Sequence, residues 1–155
     1  AVCAAMKSRI PRLSVRAVIV KDDRLLLVNA YPGGTSDLWC APGGGVQAGG
    51  SLPDNLIREV HEETGLTVVP GALVLVNEFH DPASGFHQVD LFFRATCTDG
   101  SLRPGWTDPE GVVTERRFFS RAELGSIRLK PDSLPRIAFD ASLRAHYDPL
   151  EVIVG

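Results

Sequence analysis

The stretch Pro42 to Leu66, PGGGVQAGGSLPDNLIREVHEETGL, constrains this chain more than any other. A glycine-rich turn there feeds a short helix carrying Arg58, Glu59, Glu62 and Glu63. Ser51 is a good N-cap, and Asp54 three residues on completes a helix start signal. Pro53 falls in the first turn, where its missing N–H costs little. Gly65 suits the left-handed position that ends a helix. At ~100° per residue, Glu59, Glu62 and Glu63 fall within an arc of roughly 100°. Leu56, Ile57, Val60 and Thr64 gather on the neighbouring arc and should pack on a core.

Three carboxylates on one face repel. The i,i+4 pair Glu59 and Glu63 costs a few tenths of a kcal/mol on an isolated helix. Arg58 relieves part of this, most easily by pairing with Glu62 at i+4. A cation would relieve the rest. Hard divalent ions such as Mg²⁺ prefer oxygen ligands and bind through a few carboxylates plus substrate phosphates. The plainer reading is a solvated acidic face, and the preceding glycine-rich turn weighs against it.

These residues resemble the box of the Nudix hydrolases, G-x5-E-x7-R-E-U-x-E-E-x-G-U, with U aliphatic. Gly44 opens it, and Arg58, Glu59, Val60, Glu62, Glu63, Gly65 and Leu66 fill the later positions. Eight of nine specified positions match, and the departure is Gly50, where the family has its first Glu. The likeness extends loosely from Val15 to about Leu124. It implies an α/β Nudix fold, an α/β/α sandwich with a central mixed β-sheet. It also implies a metal-dependent hydrolase that cleaves the pyrophosphate linkage of a nucleoside diphosphate joined to another group. Mg²⁺, with Mn²⁺ as substitute, would sit on Glu59, Glu62, Glu63 and the Gly43 carbonyl. One glutamate, inside or beyond the box, would be the general base, and Arg58 would orient the carboxylates. Gly50, with Gln47 where many relatives are acidic, lowers the local negative charge. That predicts weaker metal binding and a slower enzyme, and improvement on Gly50→Glu.

A chain of 155 residues fits one domain with a real core. Residues 13–147 are expected to form it, with 1–12 an N-terminal segment and 148–155 a tail. Met6 is read as the initiator, with an upstream remnant before it. The net charge of −3 argues against a general binder of long nucleic acid. A small nucleotide stays compatible with it, because a bound metal supplies positive charge locally. Cys3, Cys40 and Cys97 are an odd number without metal spacing, which suggests reduced thiols and a cytoplasmic setting. No apolar run approaches the ~20 residues of a membrane span. Assembly as a homodimer is left open.

Leu13–Val20 and Arg24–Tyr31 read as a hairpin around Lys21-Asp22-Asp23. Their near-continuous apolar character suggests a sheet covered on both faces. Arg16 interrupts the pattern. It marks a strand edge or end, or it points into the substrate cavity to meet phosphate. Trp39 reads as core or cavity wall. Gly44 lets a ligand approach the backbone closely. Ala72–Phe79 and Gln88–Thr98 read as two strands, with Phe79, Phe86 and His87 able to stack on a base. Thr98–Gly111 is a long polar loop, and its Trp106 is a base-stacking candidate set against simple loop anchoring. Val112–Phe119 should be the last main strand, flanked by Glu110 and Glu115, either of which could supply a further acid. Ser133–Tyr147 is expected to be a C-terminal helix. Two other classes keep the same residues: a catalytically silent nucleotide-binding module and a partner-binding domain with a solvated acidic helix.

Overall fold

The computed structural model describes residues 10–98, 101–142 and 144–155. Cys3 and Met6 lie outside the described residues. The mixed β-structure expected at the centre is divided between two sheets. The first contains β1 (Arg12–Val18), β5 (Gly43–Gly45), β6 (Val68–Asp81), β7 (Phe86–Cys97), β10 (His146–Tyr147) and β11 (Glu151–Val152). Its order is β10-β6-β7-β1-β5, and β11 also pairs with β6. The second contains β2 (Val20–Lys21), β3 (Arg24–Asn29), β4 (Leu38–Cys40), β8 (Arg116–Ser120) and β9 (Arg128–Leu129). Its order is β2-β3-β4-β9, with β8 on β3. Three α-helices accompany them among the described residues: α1 (Leu52–Thr64), α2 (Arg121–Leu124) and α3 (Leu134–Ala138).

The expected N-terminal hairpin is only partly formed. The chain leaves the first sheet at Val18 and enters the second at Val20, so just Val20 and Lys21 pair with β3. Asp22 and Asp23 make the tight turn, both with positive φ, as the favoured two-residue hairpin turns require. The unbroken apolar runs follow from this layout. Val15, Ala17 and Ile19 face the core under α1, with Leu26, Leu56 and Val60. Val18, Leu25 and Leu27 face a second core with Phe92, Phe119, Leu134 and Ile137. Both faces of β1 and β3 are therefore covered.

Helix α1 starts and stops where its caps direct. Ser51 accepts from the Asp54 N–H, and Gly65 takes φ 75° with its N–H on the His61 carbonyl. The C-terminal helix is a correction. Only five residues are helical, Leu134–Ala138. Arg94 on β7 donates to the carbonyls of Ala138 at 3.0 Å and Ile137 at 2.6 Å, and also to that of Asp140. This side chain from another element satisfies the helix end, and the later chain turns back to pair with β6.

Candidate active site

Strand β1 runs between β7 and β5, which brings Arg16 opposite both Phe92 and Gly43. Arg16 is thus in mid-sheet, neither at an edge nor at a strand end. It points into the space between the sheets, where Nη1 donates to the Ala41 carbonyl at 3.1 Å and Nε lies 3.8 Å from Asp90. Burial alone would weaken its charge, but Asp90, Cys40, Glu63 and Glu59 around it hold it firmly protonated. The same burial pushes the Cys40 thiol up to about 11.

The glycine strand β5 lies against α1. The buried polar line on α1 is Asn55, Glu59 and Glu63, spaced i, i+4, i+8. Glu63 accepts the Gly43 N–H at 3.0 Å. Glu59 lies on the Gly44 backbone so closely that a Cβ there would stand 2.4 Å from its carboxylate. A side chain at that position would require the Glu59 carboxylate to move. Arg58 donates to Glu59 at 2.8 Å and, more weakly, to Glu62 at 3.5 Å. The expected order of these two partners is reversed. Glu62 stands at the rim, while Glu59 and Glu63 line a cleft of about 290 Å³ with Gly43–Gly45, Arg16, Asn29 and Glu110.

Burial raises the carboxyl of Glu63 to about 8, against the pull of Arg16 and the Gly43 N–H; Glu59 and Asp108 add to the rise. Glu59 is also raised by burial, opposed by Arg58. Two acids are held in one cleft; Arg58 pairs with Glu59 at 2.8 Å, whereas the ion pair of Arg16 is with Asp90, so Glu63 has no cation in direct ionic contact among the described residues. This donor set suits a hard cation, which would let both ionise. Among the described residues, no three His, Cys, Asp or Glu side chains form a ready cluster around one metal position. A Mg²⁺-type ion that keeps several waters needs only one or two carboxylates plus phosphate oxygens.

The other candidates separate. Glu110 faces the cleft, placed there by Asp108, whose buried carboxylate accepts the N–H groups of Glu110, Val112 and Val113. Glu115 is exposed and lies outside the cleft. Trp106 is anchored by its Nε1–H to the Glu62 carbonyl at 2.9 Å and packs edge-on to His61. It is not among the residues lining the cleft, and these contacts favour the loop-anchoring reading over base stacking.

A second cavity of about 250 Å³ adjoins the cleft, with Arg12, Arg16, Ala30 and Cys40 shared between them. Phe79, Phe86, Tyr31 and the segment Val152–Val154 form its apolar sides. His87 does not line it and pairs with Glu78 at 3.1 Å. The polar supports Asn29, Asn55, Asp90 and Asp108 carry no sequence signal, since each earns its place through partners set by the fold.

A family model described as NUDIX domain matches residues 10–139. The chain belongs to the Nudix hydrolase family. It is 27% identical over 130 residues to the ADP-ribose pyrophosphatase of Methanocaldococcus jannaschii, covering 84% of this chain and 68% of that one. It is 30% identical over 98 residues to YjhB of Bacillus subtilis, covering 61% of this chain and 46% of the relative. The chain thus spans about half of one curated relative and about two thirds of the other. The solved Nudix hydrolase from Nitrosomonas europaea superposes with a TM-score of 0.72 at 26% identity, over 88% of this chain and 93% of that one. The architecture described above is the α/β Nudix fold.

Proposed function

We propose that this Nudix chain hydrolyses the pyrophosphate linkage of a nucleoside diphosphate joined to another group, in a reaction that needs a divalent cation. The observation that carries this is the buried pair Glu59 and Glu63 in a glycine-walled cleft opening into an apolar cavity. The first compartment suits a diphosphate with its counter-ion, and the second suits a nucleoside. The Methanocaldococcus relative named for ADP-ribose supports that substrate class.

Glu59 and Glu63 would hold Mg²⁺ or Mn²⁺, with Glu62 and the Gly43 carbonyl as further oxygen donors. Bound there, the ion supplies charge neutralisation for the diphosphate and acidifies an attacking water. Arg58 orients Glu59 through their ion pair. Arg16, kept charged, faces the phosphates, and Gly44 lets them approach the backbone. A water oxygen bonds to one phosphorus as the bridging P–O bond breaks. Glu110 is our choice to accept the water's proton. Tyr31, Phe79 and Phe86 would border the nucleoside. Cys40 and Cys97, thiols rather than halves of a disulfide, fit a cytoplasmic setting.

A panel of ADP-ribose, nucleotide sugars, dinucleotide polyphosphates and nucleoside triphosphates, with and without Mg²⁺ or Mn²⁺, tests this. Metal-dependent release of two phosphate monoesters from a diphosphate-linked substrate is expected. The grip of Arg58 on Glu59 favours one other reading, a silent nucleotide sensor. Binding without turnover under any metal would select it.

A further inference from the structure

Gly50 leaves the box without its first glutamate, which should leave Arg58 short of partners. It is not short of them. Besides Glu59 and Glu62, its Nη2 donates to the Asn55 Oδ1 at 2.9 Å and the Gly45 carbonyl at 3.3 Å. Asn55 is only 3% exposed, and its amide makes three hydrogen bonds. Oδ1 also accepts the Gln47 N–H at 2.9 Å, and Nδ2 donates to the Ser51 carbonyl at 2.8 Å. These bonds require the oxygen toward Arg58 and the nitrogen toward Ser51, which fixes the amide's orientation.

We infer that Asn55 is a positioning residue that ties Arg58 to the glycine loop with a neutral amide, and that Gly50 and Asn55 are a matched pair. The space at position 50 is where the match lies. A Cβ on Gly50 would stand 3.0 Å from the Asn55 Nδ2, so a larger residue there requires an amide held by three hydrogen bonds to give by a few tenths of an ångström. The line runs Gln47 N–H, Asn55, Arg58, Glu59, and so joins the cleft's loop to one of its two buried acids. The amide neither repels Glu59 nor competes with it for a cation, whereas a carboxylate at position 50 would add charge. The weaker charge foreseen from the sequence is therefore accompanied by intact geometry. Restoring the glutamate alone should harm the site, the reverse of the expectation from the box.

The part of this inference that concerns catalysis rests on the proposed hydrolase reading; the pairing itself does not. The test is a double-mutant cycle with Gly50→Glu, Asn55→Ala and both together, read first as melting temperature in chelator. Gly50→Glu alone should lower the melting temperature and raise no activity. Asn55→Ala should lower kcat roughly tenfold and raise the Mg²⁺ midpoint, with KM within about twofold. The double variant should be more stable than the sum of the single losses, because the introduced carboxylate can then reach Arg58. Asn55→Ser replaces Asn55→Ala if the latter does not fold. Additive melting shifts, or a Gly50→Glu protein that is both more stable and faster, would overturn the pairing. If the wild type turns over nothing, the hydrolase reading fails while the melting cycle still decides the inference.

Discussion

Helix α1 and the segment after Ser133 begin from similar sequence signals and end differently. Both carry apolar residues at helical spacing. In α1 a Ser at one end and a Gly at the other close the backbone locally, and the helix runs its full 13 residues. After Ser133 the spacing continues through Ala141, but the helix stops at Ala138 because Arg94 captures its last carbonyls. Local hydrogen bonds can be read from neighbouring letters. A partner 43 residues away cannot. The same contrast divides the proposed function: we assign the chemistry to the α1 region, and the C-terminal segment walls the adjoining cavity.

That division can be broken by mutation, and the largest effect belongs to Glu63. Glu63→Gln should lower kcat/KM by roughly a hundredfold or more while the chelated protein melts no lower than wild type. If turnover survives, the chemistry is not in the α1 region. Arg94→Met comes next. Losing a charged donor to several carbonyls should cost about 2–3 kcal/mol in denaturant unfolding, with KM raised more than kcat is lowered. A selective loss of kcat would show that the two regions are not separable.

A pH effect ranks third. Glu63 titrates at about 8 when folded, above its ordinary value near 4.5. The unfolded chain releases that proton first, so this contribution to stability is present at low pH and shrinks as pH climbs from about 4.5 to about 8. Chelated wild type should therefore lose melting temperature relative to Glu63→Gln across that window, and added Mg²⁺ should restore it. Parallel curves would remove Glu63 from the account. The smallest effect is expected for Trp106→Phe, which should cost about 1 kcal/mol of stability and leave substrate affinity unchanged. A large rise in KM would return Trp106 to base stacking.

Much of the site was legible in the letters because its logic is local. The caps Ser51 and Gly65, the acids Glu59 and Glu63, and the glycine at position 44 against which Glu59 lies are all within the box. What the letters hid depends on pairing between distant strands. Arg16 could be read as a strand-end residue until β7 and β5 enclosed it. Glu110 and Glu115 were indistinguishable until Asp108 folded the loop and turned one toward the cleft. Asn55 carries no signal of its own in the letters, since the partners of its amide, Gln47, Ser51 and Arg58, are brought to it by the folded loop and helix. Trp106 could be read as a ligand contact or as a loop anchor because a large aromatic in a polar loop has two common uses, and its bond to the Glu62 carbonyl favours the second.

On the reading proposed here, Glu63 and Glu59 jointly hold a divalent cation. Heat measured on titrating Mg²⁺ into the metal-free protein tests it without any substrate. Wild type should give a saturable isotherm, and Glu63→Gln should give only heats of dilution. Equal binding by both proteins, or none by a folded wild type that still hydrolyses its substrate, would contradict it.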